Sequence, residues 1–277
     1  MSEARGAVAG VLATRGGPEA LAAAATVLLG EPWWLAGLLA PWLERLAADP
    51  DDEPPIRIAR DPRRTSAVLV EGEAGALTAT VIHAMPDEPL LAASGRLAVT
   101  RYHRAGGARL LAWEAGDGDA AFALATAPVL RALPPVALAD GEVRVLDGRR
   151  RAFALAGACA PVVTLTVAPR AGGLARAYDR ASGRLVRVAG NDADESRRQM
   201  LLTLLRVSGR RDAAAHFDAA TRAPAHQLRW AAMREWLALD ATAALPRLRA
   251  LADDPHHEVR AAARATLPLV EARLCPA

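Results

Sequence analysis

Six histidines, two cysteines and a scatter of carboxylates carry the candidate chemistry of this 277-residue chain. His83 and His103 both fall on strand-like runs, Leu77 to His83 and Arg96 to His103. Two histidines and one carboxylate make the facial triad that holds Fe(II), and Glu88 or Glu114 is the acidic group at hand. Such a site requires both imidazoles to face one interior, which strand alternation grants only in the right register. His216-Phe217-Asp218 has the letters of another iron motif but lies in an Ala-rich helical stretch, where side chains at i and i+2 point apart. His256-His257 follows Pro255 at the start of a helix and reads as a solvated surface pair, with metal binding as its alternative. Cys159 and Cys275 offer neither metal spacing nor a disulfide framework, as expected for a reducing cytoplasm. No Gly-x-Ser-x-Gly elbow and no Gly-rich phosphate loop is present, so hydrolase and nucleotide-binding readings have no footing.

The elements that must position these residues change character along the chain. Residues 18–48 read as two helices: Pro18-Glu19 opens the first, Gly30 stops it, and Pro32 opens a second that carries Trp33, Trp34 and Trp42 as a core-facing stripe. Pro41 inside that pattern predicts a kink or a split. The apolar run 20–43 is interrupted at Glu31-Pro32, leaving pieces too short for a membrane span, which needs ~20 residues. Asp49 to Pro55 reads as a linker, and the start Met1-Ser2-Glu3 lacks a basic region leading into an apolar core, so no secretory signal is expected. From Ile56 to about Gly190 the period becomes that of short strands. Arg104-Ala-Gly-Gly107, Asp147-Gly148 and the loop Asp179 to Gly183 each read as a hairpin connection, and Val162 to Val167 as a buried strand. Many short strands with close turn signals predict an antiparallel sandwich or barrel.

Beyond Glu195 the chain is helical again, and it repeats. Ala223-Pro-Ala-His-Gln-Leu-Arg229 and Asp254-Pro-His-His-Glu-Val-Arg260 align at an offset of 31 residues, each between two helices. In the second copy Pro246, Asp254 and Val259-Arg260 stand at the positions by which this segment, about 200–272, resembles HEAT repeats. The first copy keeps Leu228-Arg229 but has Ala215 and Ala223 in place of the Pro and Asp. The resemblance implies a short stack of antiparallel helix pairs in which Arg229 and Arg260 make contacts within the stack, and two units alone are expected to lean on the rest of the protein. Residues 56–190 resemble a cupin double-stranded β-helix, through Leu138-Ala-Asp-Gly141 to Gly148 and the strand after Pro161. Arg144 stands where metal-binding cupins usually have a His, and the other motif retains only His83, Met85, Glu88 and Gly95. The resemblance therefore implies a cupin without its metal.

Every one of the 34 basic residues is an arginine, which a GC-rich coding bias accounts for, and the net charge is +3. Residues 1–55 hold three arginines against eight carboxylates, and 196–277 hold thirteen against eight. A basic helical tail of that size is ordinarily a solvated face, which disfavours nucleic acid as partner. The chain is thus expected to be an α+β protein in three parts: a helical segment and linker, 1–55; a cupin-like antiparallel β-sandwich, 56–195; and a HEAT-like helical pair, 196–277. The expected function is a non-enzymatic protein-binding or scaffolding module without cofactor or metal, with Arg247, Arg249 and Arg264 meeting an acidic surface of another protein. The alternative is a cupin-type metal-dependent oxygenase or isomerase acting on a small molecule or peptide, with Fe(II) on His83, His103 and Glu88.

Overall fold

The structure, a computed structural model, describes residues 3–52, 56–85, 88–116, 127–190 and 193–274. Cys275 and the Glu53-Pro54-Pro55 end of the expected linker lie outside the described residues. The chain divides into two compact units, Met1–Val188 and Ala189–Ala277.

The first unit joins what the sequence presents as two segments. Helices α1 (Glu3–Leu12), α2 (Gly17–Gly30) and α3 (Trp34–Ala48) precede thirteen strands among the described residues. Leu12, Leu21, Leu29 and Trp34 are buried in one cluster with Leu77, Val99, Leu165 and Val167 of the strands. A sheet face and a helix stripe each have apolar surface to hide, and here they hide it in each other. The helices come very close: a Cβ on Gly72 would sit 2.5 Å from the Leu12 Cβ. No single helix among the described residues is long and apolar enough to cross a membrane, and α2 and α3 meet at a bend of 74°. The Trp34 indole N–H closes that bend by donating to the Leu28 carbonyl at 2.9 Å. Of the expected tryptophan stripe, Trp34 is fully buried and Trp42 packs on the cluster, whereas Trp33 is exposed. Pro41 does not split α3; it lies on the solvent side, where the missing N–H costs least.

The strands are β1 (Arg57–Arg60), β2 (Arg64–Glu71), β3 (Gly75–Ile82), β4 (Leu90–Ala93), β5 (Leu97–Arg104), β6 (Arg109–Glu114), β7 (Arg131–Ala132), β8 (Val136–Ala137), β9 (Glu142–Asp147), β10 (Arg151–Ala156), β11 (Val162–Pro169), β12 (Leu174–Asp179) and β13 (Leu185–Gly190). The main sheet has the order β1-β2-β3-β11-β5-β9, a second has β10-β6-β7 with β8 also on β6, and a third has β13-β12-β4. The recorded pairs are antiparallel, and β4 runs beside β10. Successive strands therefore alternate between the main sheet (β3, β5, β9, β11) and the opposing layer (β4, β6, β7, β10), which is the strand order of a double-sheet jelly roll. Two expected hairpins are consequently not hairpins: 104–107 leads from β5 to β6 and 147–148 from β9 to β10, each crossing from one layer to the other. The turn chemistry is present, with Gly106 and Gly107 at φ 57 and 76. Gly106 has a reason beyond the turn, since a Cβ there would lie 2.3 Å from the Ala160 carbonyl oxygen. The third expected hairpin is real: β12 and β13 are neighbours across 179–184.

The second unit has α4 (Ala193–Val207), a 3₁₀ turn at 211–213, α5 (Ala214–Ala220), α6 (His226–Leu239), α7 (Ala241–Leu251) and α8 (His257–Leu274). Its core, centred on Phe217, Met233, Trp236, Leu248 and Leu251, is drawn from residues of this unit alone. Within the unit α4 packs on α6, adding cover to the repeated helix pairs.

Candidate functional site

The expected iron ligands are not brought together. His83 follows the last residue of β3, exposed, with its Nε2 3.4 Å from the Thr65 hydroxyl. His103 is exposed on β5 at a bulge, for Val163 of β11 pairs with Arg104 while Thr164 pairs with Tyr102. β11 lies between those two strands, so their backbones stand ~9–10 Å apart. Glu88 is exposed in the connection to β4, and Glu114 is engaged by Arg131 and Arg151. The register decides what the inside of the jelly roll offers instead. Leu77, Leu165 and Val99 turn to the helices, so the alternate residues Ser66, Thr80, Thr166 and Thr100 turn inward. Their hydroxyls pair across strands, Ser66 with Thr80 and Thr100 with Thr166, both at 3.0 Å. These are neutral groups that already satisfy one another. Arg144 lies across from Thr100 and forms an ion pair with Glu142 at 2.5 Å.

The arginines expected to meet a partner divide. Arg247 is committed to the helical joint: its Nε donates to the Thr221 hydroxyl and its Nη2 to the Thr221 carbonyl, both at 2.9 Å, and Thr221 is fully buried. Arg249 and Arg264 are exposed but carry salt bridges, to Glu271 at 2.7 Å and Asp253 at 3.2 Å. The reason Arg247 turns inward is the seven-residue α5, which ends in a short turn whose carbonyl needs a donor.

What the helical unit does assemble is a polar centre at the starts of α6 and α8. Asp254, 5% exposed, accepts from Arg229 Nη2 at 2.7 Å and Nε at 2.9 Å, and from the His256 backbone N–H at 2.8 Å. Burial works to raise the Asp254 carboxyl, but the Arg229 guanidinium and the His256 N–H outweigh it and hold the group below the usual carboxylate range. Arg229 and Arg260 each donate to the carbonyls of their own turn, Ala223 and Pro224 for one, Asp254 and Pro255 for the other. The 31-residue repeat is thus a repeated guanidinium cap, and one copy adds a carboxylate. Around this hub the His226 and His256 rings stack with centroids 3.5 Å apart, and His257 stacks on His256 at 4.8 Å. The Glu258 carboxylate lies 3.9 Å from His226 Nε2. Burial and the neighbouring His256 depress the His226 pKa, against the pull of Glu258. Among the described residues, His226, His256 and Glu258 are the histidine–carboxylate group whose ligand atoms all lie within 4.8 Å of one another. The sequence presented His256-His257 as a surface pair; His226, thirty residues away, carries no local signal.

A second feature of the unit is apolar. Met200, Leu201, Leu204 and Val207 of α4 are 65%, 48%, 58% and 68% exposed, at spacings that form one helical face. Leu201 and Leu204 also line, with Leu202, Leu205, Arg198 and His216, a groove of about 530 Å³ between α4 and α5.

No family model matches the chain, and no curated protein matches it. Among solved structures it is similar to the capsular polysaccharide assembling protein CapF from Staphylococcus aureus, at 10% identity and TM-score 0.29, over 43% of this chain and 29% of that one. The chain thus matches less than a third of CapF. It is also similar to a sugar phosphate isomerase of the cupin superfamily from Silicibacter pomeroyi, at 10% identity and TM-score 0.28, over 50% of this chain and 90% of that one. A third similar structure is Fe(II)-HppE with an alternative substrate, at 15% identity and TM-score 0.28, over 59% and 93%. Likenesses this slight carry nothing about activity or ligand.

Proposed function

We propose that this chain is a non-enzymatic binding protein, with a cupin-like jelly roll that has lost its metal and a HEAT-like helical unit that recognises another protein. The observation that carries the reading is the exposed apolar face of α4, since four large apolar side chains on one helical face mark a surface meant to be covered. The groove beside it suits a partner helix laid along α4, with apolar side chains between Leu201 and Leu205 and acidic ones toward Arg198. This moves the recognition surface away from Arg249 and Arg264, whose charges already have carboxylate partners. The inward hydroxyls of the jelly roll, paired with each other, are consistent with a structural core.

The test places a photoreactive residue at position 204 in cells, identifies the protein it captures, and measures binding between the two purified proteins. Leu201→Glu with Leu204→Glu should weaken that binding by more than about tenfold, as charges at an apolar contact centre do, and leave the melting temperature unchanged because both side chains are exposed. A captured protein whose purified form binds the double variant as well as the original would overturn the proposal.

A further inference from the structure

We infer that His226, His256 and Glu258 form a binding site for a divalent transition ion of borderline softness, with zinc as the representative, pinning the start of α6 to the start of α8. The inference is independent of the α4 surface. It rests on a juxtaposition of three side chains from two helices, whose ligand atoms all lie within 4.8 Å of one another. Imidazole nitrogen and carboxylate oxygen are the donors zinc takes at ~2.0–2.2 Å, and three of them leave a fourth, open position. At tetrahedral angles such donors stand about 3.4 Å apart, so the His226 Nε2 to Glu258 distance of 3.9 Å has only a little to close. The rings are stacked nearly parallel, so binding requires one imidazole to swing out of the stack and bring its nitrogen round to the ion that the other ring faces.

The supports are already in place. The His256 backbone is held by Asp254, and the His226 end of α6 is fixed through Arg229, one turn on and bound to the same carboxylate. The Arg229 guanidinium is bound bidentately by Asp254, and the Glu258 carboxylate lies 3.9 Å from His226 Nε2. Both His256 ring nitrogens are shielded from solvent, whereas the Glu258 side chain is 41% exposed, so the site would be buried on its imidazole side and open on its carboxylate side. Iron on His83 and His103 is a different matter, since β11 separates β3, which His83 follows, from β5, which carries His103.

The experiment titrates the full-length chain, freed of metal with a chelator, with zinc by calorimetry, and with cobalt by visible absorption to report ligand geometry. One ion per chain is expected, together with the absorption of a low-coordinate nitrogen and oxygen site. His226→Gln and His256→Gln should each weaken binding by more than about a hundredfold, because even outer partners of a metal site cost 10–100-fold. Circular dichroism checks that both variants keep their helices, and His216→Gln serves as a control that should bind as the original does. Failure to bind zinc at micromolar concentrations overturns the site. So does a single-site affinity that survives both substitutions, or one that is lost instead in His83→Gln with His103→Gln.

Discussion

Each unit buries a guanidinium, and the two do it differently. Arg176 of β12 is 1% exposed in the first unit, and it donates to the carbonyls of Ala115, Gly116 and Arg149. Arg229 in the helical unit has a side chain 12% exposed, and its main partner is the buried carboxylate of Asp254. A carbonyl left without its donor is a neutral loss, whereas a carboxylate left without its cation is a charge stranded out of water. The β unit thus uses its buried arginine to close the ends of strands and loops, and the helical unit uses its own to make one joint depend on two residues.

Substitutions measure that difference most directly. Arg229→Ala should destabilise the helical unit by about 3–5 kcal/mol, the penalty for an uncompensated buried charge. Denaturant unfolding of the full chain should show the change in the transition of residues 189–277. A smaller loss than that of Arg176→Met would remove the distinction between the units. Arg176→Met itself is expected to cost the first unit about 2–3 kcal/mol through lost charge-assisted hydrogen bonds, read from the transition of the β signal.

Acid sharpens the contrast. Asp254 titrates below its ordinary range in the fold, so its contribution is complete above the ordinary carboxylate value and is lost as the pH falls through and below about 4. His226 is a base with a depressed pKa, and the unfolded chain therefore takes up its proton first. The helical unit should begin to lose stability as the pH falls below about 6.5, the ordinary histidine value. His226→Gln should remove the step near 6.5 and keep the one near 4, as followed by helix signal against pH in metal-free buffer. The smallest effects separate two arginines that look alike in the sequence. Arg247→Ala should cost about 1–2 kcal/mol, because it strips two hydrogen bonds from buried Thr221. Arg249→Ala, exposed beside Glu271, should leave the unfolding midpoint where it was.

The strands themselves were legible because their period is local: 77–83, 96–103 and 162–167 show the apolar spacing that the main sheet then uses. The site was much less so. Nothing near His226 announces that its ring will stack on His256, and the two histidines best placed on strands, His83 and His103, end in solvent. A spacing of letters records what one helix or strand presents, and the polar centre is made by two helix starts meeting.

The amino-acid sequence by itself determined the class of each segment, the turns, and the repeated Pro-x-x-x-x-Arg caps at 224–229 and 255–260, since these follow from dihedral preferences and from side chains reaching their own turn. Only the tertiary structure decided that the chain reversals at 104–107 and 147–148 carry it across to the opposing layer rather than back into the same sheet. A glycine turn fixes the angle through which the backbone folds. The sheet in which the next strand finds its partner is settled by burial: β5 and β9 are claimed by the main sheet, whose outer face α2 must cover, while β6 and β10 pair with each other across from it.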